Sequence, residues 1–415
     1  MINNNINNNI NNIVIIGGGL AGDTATAALR EAGYTGGIQL VTDELHRPYD
    51  RPPLSKAALL AADAAAKVHF RPANWYNENH VDLILGDGAA KLDPAAHQVT
   101  LRSGRVIAYD KLLIATGTRA RRLRLLETTG APVFYLRSLD DCEALRPLLV
   151  PGAHIVLIGA GVIGMEVAAT ANALGCAVTV VELAPRVMAR SVSPAVSGFI
   201  ADCHREHGVT IHCGAKITGM HCVNGRAVLE LEGGIRLEPD AVIAGIGAEP
   251  ITELAQEAGL RVDDGIIIDR FTRTSDPDIH AAGDVARFES VARGQHIRAE
   301  HWRHAIDQAT TAAHAMLGAD TAYEERPWVW SDQYDLNIQI TGEGTGESEI
   351  FRGDPATKSF TAFQLREGRI VGAISINQGK WKRPIAELVH NHARIEPAIL
   401  ADANADLKKL ASGMK

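Results

Sequence analysis

One glycine signature occurs twice in this chain, each time between a short apolar run and an alanine-rich segment. The glycines of the two copies are Gly17, Gly19 and Gly22, and Gly159, Gly161 and Gly164. In such a signature the first glycine permits a tight turn after a strand, the second lets backbone approach a pyrophosphate, and the third lets the following helix pack on the strand. The helix N-terminus adds N–H groups and a dipole that favour phosphate. The sequence therefore predicts two dinucleotide-binding βαβ units, and two dinucleotides on one chain suggest that electrons pass between them.

Each predicted unit continues into a second apolar strand that ends in acidic residues. These are Asp43 and Glu44 in the first unit and Glu182 in the second. An acid at this position accepts hydrogen bonds from a ribose diol and repels a 2′-phosphate. The register of the strand does not show which of Asp43 and Glu44 would contact the ribose. Glu182 favours NADH, while the nearby Arg186 and Arg190 keep NADPH as an alternative.

The composition excludes several classes of protein. A hydrophobic content of 46% over 415 residues supports large buried cores, and 39 glycines suit a fold with many tight turns. A formal net charge of −8 gives no reason to expect nucleic-acid binding. The apolar runs are strand-sized and the N-terminus lacks the pattern of a signal peptide, so we expect a cytoplasmic protein. The Asn/Ile-rich opening, residues 1–12, is low-complexity and is left out of the functional interpretation.

Cysteine spacing argues against a dithiol or a metal site. The five cysteines are Cys142, Cys176, Cys203, Cys213 and Cys222. None of them forms a CxxC or CxxxxC pair, which disfavours a redox-active dithiol, an iron–sulfur cluster and structural zinc. We therefore predict no metal, and electrons must leave the chain by another route.

Further strands and helices follow from the apolar pattern. A buried strand at 112–115 ends in Thr116 and Gly117, and another at 241–247 ends in Gly247. A shorter strand precedes Asp284, and a helix is expected at about 302–316. Residues 81–85 and 99–101 look like strands of a small antiparallel meander. Beyond residue 327 we expect antiparallel strands and two closing alanine-rich helices.

Two longer motifs are much more specific than either glycine signature: Arg51-Pro52-Pro53-Leu54-Ser55-Lys56 and Trp330-Ser331-Asp332-Gln333. Two further motifs accompany them, Tyr135-Leu136-Arg137 and Ala281-Ala282-Gly283-Asp284. Together with the two signatures they resemble the two-dinucleotide-binding flavoprotein reductases. Within that group the chain is most similar to the NADH-dependent ferredoxin reductases of bacterial ring-hydroxylating dioxygenases and similar monooxygenase systems. The resemblance extends over nearly the whole chain from residue 13 onward.

The resemblance implies an α/β fold with two Rossmann-like domains of the glutathione-reductase kind and a small α+β C-terminal domain. FAD would be bound by a domain formed from residues 1–121 and 243–326. NADH would be bound by residues 122–242, and residues 327–415 would form the C-terminal domain.

The resemblance also implies the residues that meet each cofactor. Those implied for FAD are Gly17, Gly19, Gly22, Asp43 or Glu44, Arg51, Lys56, Thr116, Gly117, Arg137, Asp284, Trp302 and Trp330. Those implied for NADH are Gly159, Gly161, Ile163, Gly164, Glu166, Glu182, Arg190 and Gly247. Asp284 would hold the ribityl chain, Trp302 would lie near the pyrimidine end of the flavin, and Trp330 near its other face. An ordinary core position is the alternative for each tryptophan.

Two of these residues are the predicted catalytic pair. Hydride arrival leaves negative charge on the flavin ring, and a fixed ammonium stabilises such charge. We expect Lys56 to supply this cation and to form an ion pair with Glu166 beside the place where nicotinamide meets flavin.

By the same resemblance the electron acceptor is a small [2Fe-2S] ferredoxin, with a Rieske-type protein expected, that feeds an aromatic-ring oxygenase. Such ferredoxins are often acidic, so a basic docking patch is expected. One candidate is 380–383, and the other is Arg119, Arg121, Arg122 and Arg124; solvated charge is the alternative for both. The competing functions are a dithiol oxidoreductase, which the cysteine spacing opposes, a rubredoxin reductase, and an NADH-sensing flavoprotein resembling apoptosis-inducing factor.

Overall fold

The computed structural model describes residues 10–123, 127, 130–290 and 294–413. They form two compact units, each assembled from segments that are distant in sequence. The first unit comprises the chain up to Asp50, Lys67–Arg119 and Ala248–Arg326. The second comprises Arg51–Ala66, Ala120–Gly247 and the chain from Pro327 onward. The four-segment division drawn from the sequence stays a prediction, and the grouping of residues 51–66 with the second unit had no sequence signal.

A five-stranded parallel sheet lies at the centre of the first unit. Its strands, in spatial order, are Ile279–Ala281, Lys111–Ile114, Asn12–Ile16, Gly37–Val41 and Val81–Ile84. The inner strands are runs of Val, Ile and Leu that are almost completely buried, as a parallel sheet covered on both faces requires. The helices Leu20–Glu31 and Trp302–Met316 share one hydrophobic core with one face of the sheet.

The structure corrects the predicted place of residues 81–85. Val81–Ile84 pairs in parallel with Gly37–Val41 at the edge of the main sheet. The meander instead consists of Ala89–Asp93, Gln98–Leu101 and Val106–Ala108. An edge strand of the parallel sheet and a strand of the meander both mix apolar and polar residues. The pattern alone therefore does not tell which of the two sheets residues 81–84 join.

Short elements complete the first unit and its borders. The helices are Trp75–Glu78 and Glu253–Glu257. The strands are Thr118–Ala120, Ala248–Pro250, Ile266–Ile267, Ala286–Ser290 and Gln295–Arg298.

The second unit contains another five-stranded parallel sheet. Its strands, in spatial order, are Thr210–Cys213, Ala177–Glu182, His154–Ile158, Ala241–Ala244 and Val133–Phe134. The central strand leads through the second glycine turn into the helix Val162–Ala173. An antiparallel sheet packs on this one and consists of Ile217–Val223, Arg226–Leu231 and Arg236–Leu237. The other helices of this part are Ala57–Leu60, Ala62–Ala65, Leu139–Leu145 and Pro194–Glu206.

The C-terminal part of the second unit is a five-stranded antiparallel sheet covered by helices. The strands, in spatial order, are Trp328–Gln333, Leu336–Gly342, Arg369–Ile376, Ser359–Arg366 and Ser348–Asp354. The helices are Lys382–His390, Pro397–Ala401 and Leu407–Ser412. Two closing helices were expected, and the described residues form three short ones; Pro397 stands at the start of the second, where its missing N–H is tolerated.

None of the helices in the described ranges combines the length and the apolar character that crossing a bilayer needs.

Candidate active site

The first glycine turn joins the strand Asn12–Ile16 to the helix Leu20–Glu31. Gly17 has φ +118°, and a Cβ on it would lie 2.1 Å from the carbonyl oxygen of Ala115. A Cβ on Gly22 would lie 1.9 Å from the carbonyl oxygen of Gly17. A Cβ on Gly19, by contrast, would meet no described atom within 4 Å. The turn itself therefore requires the first and third glycines, whereas the second leaves an open approach to the helix N-terminus, as a pyrophosphate needs.

The second glycine turn repeats this arrangement. Gly159 has φ +99°, and its Cβ would lie 2.4 Å from the carbonyl oxygen of Gly245. A Cβ on Gly164 would lie 2.2 Å from the carbonyl oxygen of Gly159, whereas a Cβ on Gly161 would meet no described atom within 4 Å. The residues present thus fit a dinucleotide at each turn.

Two other predicted nucleotide contacts lie in this part of the second unit. Ile163 stands in the first helical turn and is 48% exposed, which is unusual for an isoleucine and leaves apolar surface that a ligand could cover. Gly247 has φ +107° and follows the strand Ala241–Ala244.

The two acids that follow the second strand of the first unit have different surroundings. Asp43 is exposed and lies 3.7 Å from the guanidinium of Arg102. Glu44 is half-buried, and its carboxylate accepts a 2.5 Å hydrogen bond from the hydroxyl of Tyr49. Glu44 is therefore held in place, whereas Asp43 is turned toward a surface cation.

Glu182 ends the corresponding strand of the second unit and points back at the glycine turn. Its carboxylate accepts hydrogen bonds from the backbone N–H of Ala160 at 2.6 Å and of Ala184 at 2.7 Å. The guanidinium of Arg186 donates to the carbonyl oxygens of its own loop, at 2.7 and 2.8 Å. Arg190 is exposed. A carboxylate thus lies against the turn, while Arg186 is engaged by backbone.

In the first unit the other predicted FAD residues lie in connected loops. The hydroxyl of Thr116 donates to the carbonyl oxygen of Ile251 at 2.7 Å, and the carbonyl oxygen of Gly117 accepts from the N–H of Ile251 at 3.0 Å. The hydroxyl of Thr118 donates to the carboxylate of Asp284 at 3.3 Å. Trp302 begins its helix, and the indole N–H donates to Asp50 at 3.0 Å. These bonds hold the loops after two neighbouring strands of the sheet.

Arg51 and Arg137 lie together in the second unit. The guanidinium of Arg51 donates to the carbonyl oxygen of Arg137 at 2.5 Å, and the N–H of Arg137 donates to the carboxylate of Asp141 at 2.9 Å. Trp330, on the first strand of the C-terminal sheet, stacks on Trp328 with ring centroids 5.1 Å apart and planes inclined by 14°.

Lys56 and Glu166 form the ion pair that the sequence suggested. Lys56 Nζ lies 2.8 Å from Glu166 Oε2. The same ammonium donates to the carbonyl oxygen of Pro52 at 3.1 Å. Glu166 is only 3% exposed, although it stands on the helix that follows the second glycine turn. A buried carboxylate next to an ammonium is a rare arrangement because both charges lose hydration, and it is typical of functional sites.

Sequence reasoning missed the hydroxyls that complete this pair. The side chains of Ser55 and Ser331 donate to the two oxygens of Glu166, at 2.5 and 2.7 Å. Ser331 in turn accepts from the amide of Gln333 at 3.0 Å. Both Ser331 and Gln333 are completely buried. The available signal was the Trp-Ser-Asp-Gln motif, whose alternate residues face one side of a strand.

The cysteines do not support dithiol chemistry. All five are free thiols, and Cys142, Cys176 and Cys203 are buried. Burial raises the pKa of each of these three thiols, which disfavours the reactive thiolate. The described residues also contain no cluster of three or more His, Cys, Asp or Glu side chains arranged for a metal ion.

Comparison with known proteins agrees with this geometry. The family profile "Pyridine nucleotide-disulphide oxidoreductase" matches residues 11–312, and "Reductase C-terminal" matches residues 328–411. The ferredoxin reductase for the CYP199A2 system from Rhodopseudomonas palustris is 39% identical, with a TM-score of 0.93 over 97% of this chain and 100% of that one. Putidaredoxin reductase, in its covalent complex with putidaredoxin, is 36% identical, with a TM-score of 0.92 over 97% of this chain and 98% of that one. The chain thus belongs to the pyridine nucleotide–disulphide oxidoreductase family and, within it, to the FAD-dependent ferredoxin reductases that use NAD(H).

Proposed function

We propose that this chain oxidises NADH, passes the electrons to FAD and reduces a small [2Fe-2S] ferredoxin. The observation that carries the proposal is that each unit has its own glycine turn with an open second glycine. The relatives include a reductase captured in covalent complex with putidaredoxin, which supports a small electron-carrying protein as the acceptor here. When bound, FAD supplies hydride acceptance and the release of single electrons, and the chain supplies binding, orientation and charge.

The first unit would hold FAD through the first glycine turn and the loops around it. We assign the adenosine ribose to Glu44 rather than Asp43, because the carboxylate of Glu44 is half-buried and fixed by Tyr49. The pyrophosphate is assigned to the turn at Gly19, and the ribityl chain to Asp284. Thr116, Gly117 and Trp302 stay predicted contacts of the same cofactor, as do Arg51 and Arg137.

The second unit would hold NADH through the second glycine turn. Glu182 is assigned to the ribose diol next to the adenine, where its negative charge disfavours a 2′-phosphate. A ribose hydroxyl there would share the carboxylate with the backbone N–H groups that already donate to it. Because Arg186 is engaged by carbonyl oxygens, it offers no ready partner for a 2′-phosphate. Ile163, Arg190 and Gly247 stay predicted contacts.

Lys56 is assigned the role of the fixed cation beside the reacting atoms. An ammonium has three N–H donors, and Glu166 and the carbonyl oxygen of Pro52 accept two of them. The third N–H of the ammonium has no acceptor among the described contacts, so it can donate to a cofactor atom. Glu166 holds the ammonium in one direction, so that no reorganisation is needed when negative charge develops.

The ferredoxin is proposed to dock on the basic segment 380–383. Lys382 Nζ lies 3.4 Å from the ring centroid of Trp328, and Lys380 Nζ lies 5.4 Å from that of Trp381. A cation over an aromatic ring keeps its positive charge, although Glu387, 3.1 Å from Arg383, offsets part of the charge of this segment.

The competing arginine cluster is less suited to this role. Arg119 contacts Glu249 and Glu253, both at 2.6 Å, and Arg122 lies 3.2 Å from Glu127. These acids neutralise much of the positive charge. Arg124, the fourth member of the predicted cluster, lies outside the described residues.

Docking at 380–383 is tested with the double variant Lys380→Ala and Lys382→Ala, with Arg119→Ala as the matched control in the other cluster. We expect the KM for ferredoxin to rise about tenfold at low salt, with kcat unchanged, because rim charges act mainly on encounter. The control is expected to keep the wild-type KM. The reverse outcome would place the docking site at the arginine cluster.

The acceptor is proposed to be a Rieske-type ferredoxin that feeds an aromatic-ring oxygenase. The test is steady-state reduction of a Rieske-type and a plant-type [2Fe-2S] ferredoxin, each with NADH and with NADPH. We expect the highest kcat/KM for NADH with the Rieske-type protein. Faster reduction of the plant-type protein would reassign the partner. Failure to reduce either, with a long-lived NADH complex, would favour the NADH-sensing alternative.

A further inference from the structure

A row of polar side chains runs from Glu166 to Tyr334 in the second unit, and all but the half-buried Tyr334 are buried. Its members in order are Glu166, Ser331, Gln333, His204 and Tyr334. Ser331 Oγ lies 2.7 Å from Glu166 Oε1, and Gln333 Nε2 lies 3.0 Å from Ser331 Oγ. His204 Nε2 lies 2.9 Å from Gln333 Oε1, and the hydroxyl of Tyr334 lies 3.5 Å from His204 Nδ1. Glu166 and His204 come from two helices, Ser331 and Gln333 from a strand of the C-terminal sheet, and Tyr334 from the turn after that strand.

The charge of Glu166 determines the direction of every hydrogen bond in this row. An ionised carboxylate only accepts, so Ser331 must give its single proton to Glu166. Ser331 can then only accept from its other neighbour, which requires the NH2 group of Gln333 to face it. The carbonyl oxygen of Gln333 therefore faces His204, and His204 must donate from Nε2. Its Nδ1 is left as an acceptor toward the hydroxyl of Tyr334, which also lies 3.5 Å from Asn172 Oδ1.

The row cannot carry a proton from the surface to the active site. Gln333 is an amide, and an amide cannot pass a proton on without becoming an unstable imidic acid. The row can, however, fix orientations, because a buried network with all its members satisfied is rigid. Its function must therefore be to hold the side chain of Glu166 in place, and not to deliver protons to it.

We propose that Ser331, Gln333 and His204 are positioning residues that hold the carboxylate of Glu166 aimed at Lys56. This inference deepens the proposed function and rests on it, because Lys56 is given its role there. Ser331 donates directly, Gln333 prevents Ser331 from turning its proton elsewhere, and His204 prevents the amide of Gln333 from flipping. A substitution should therefore affect the orientation of Glu166 most at Ser331, less at Gln333 and least at His204.

In the described part of the chain, Lys56, Ser55 and Ser331 contact the carboxylate of Glu166. The ammonium of Lys56 is in direct contact, and Ser55 supplies the second hydroxyl. Asp332, between the two inward-facing residues of the strand, is exposed and binds Asn337. His204 and Tyr334, the titratable groups farther along the row, are buried and half-buried respectively. The position of the Glu166 carboxylate therefore depends on Lys56 and on the hydroxyls of its serine neighbours.

The kinetic test uses Ser331→Ala, with Asp332→Asn as the exposed control on the same strand. Stopped-flow reduction of the holoenzyme by NADH is measured as a function of pH. Loss of one donor to a carboxylate is worth about a factor of ten, so the acid limb of the limiting rate should move up by about one pH unit. At pH 8 the rate should recover to within about threefold of wild type, which a merely structural defect would not do. The control should keep the wild-type profile.

Two substitutions of His204, one conservative and one not, test its role in the row. His204→Gln keeps an N–H donor toward Gln333 and should keep the wild-type profile. His204→Leu removes that donor and should shift the acid limb in the same direction as Ser331→Ala, by less. Equal profiles for the glutamine and leucine variants would overturn the role of His204.

The tautomer of His204 is a readout that does not depend on turnover. In holoenzyme with 15N-labelled histidine, the His204 signals are identified by their absence in His204→Gln. We expect the neutral Nε2–H form between pH 8 and pH 5. A neutral Nδ1–H form, or a doubly protonated ring at pH 6, would contradict the proposed direction of the row.

The outcomes separate this inference from the proposed function. If Lys56→Met reduces its flavin at the wild-type rate, the proposed role of the ion pair fails and this inference fails with it. If Lys56→Met is slow but Ser331→Ala has the wild-type pH profile, only the positioning role is wrong.

Discussion

Alanine substitutions in the second glycine turn separate the needs of the fold from those of the ligand. A Cβ at Gly164 would lie 2.2 Å from the carbonyl oxygen of Gly159, and real Cβ atoms essentially never approach closer than 3.0 Å. The helix and strand would have to move apart by nearly an ångström, which costs about 1–3 kcal/mol of stability. At Gly159 the same clash is combined with φ +99°, which adds about 1–3 kcal/mol.

Gly161→Ala should behave in the opposite way. Its Cβ meets no described atom within 4 Å, so the free energy of unfolding should stay within about 0.5 kcal/mol of wild type. If this opening is where a pyrophosphate approaches the helix N-terminus, the added methyl group will weaken NADH binding. We expect the KM for NADH to rise at least about tenfold, or about 1.4 kcal/mol.

The assay combines urea unfolding with NADH oxidation by an artificial acceptor such as ferricyanide, which avoids any dependence on ferredoxin. Gly19→Ala is the matched control in the first unit, where a Cβ is equally free of described neighbours. It should lower the FAD content of the purified protein and leave the unfolding midpoint almost unchanged. A wild-type KM for NADH in Gly161→Ala would refute the assignment of the pyrophosphate to this turn. A wild-type midpoint in Gly164→Ala would refute the steric reasoning.

Three further predictions concern charge. Lys56→Met should slow flavin reduction by NADH at least about tenfold in stopped-flow measurements, because the cation beside the developing charge is lost, while Lys67→Met at an exposed position should not. Glu182→Ala should lower the ratio of kcat/KM for NADH to that for NADPH about tenfold, because the acid that repels a 2′-phosphate is removed. Burial lowers the pKa of His204 to about 4, so its contribution to stability is present above the unfolded value of 6.5 and is lost as pH falls through about 4. Between these pH values wild type should lose roughly 3 kcal/mol more unfolding free energy than His204→Gln, measured in urea; parallel curves would contradict this.

Local features of the chain were predictable because nearby residues determine them. The third glycine of each turn is required by a contact with the first glycine of the same motif, whereas the contacts of Gly17 with Ala115 and of Gly159 with Gly245 are distant in sequence. The helix expected at about 302–316 has the bounds Trp302–Met316. It begins after a residue with extended backbone and ends before Gly318, so both limits are encoded locally.

Features that depend on distant pairing were not predictable. The strand Val81–Ile84 joined the main sheet instead of the meander because its partner is Gly37–Val41. The grouping of residues 51–66 with the second unit likewise depends on remote contacts. One of them is the hydrogen bond from Thr170 to the carbonyl oxygen of Ser55, across 115 positions.

The structure around the Trp-Ser-Asp-Gln motif was predictable only in part. Strand periodicity predicts that Ser331 and Gln333 share one face and Asp332 the other, and the structure buries the first two and exposes the third. Periodicity does not tell what the buried face meets. A buried serine and glutamine cost free energy unless they are hydrogen-bonded, so their presence on an inward face already implied a polar partner. That partner is Glu166, 165 positions earlier, and its need for donors explains why this strand is polar where an apolar residue would pack as well.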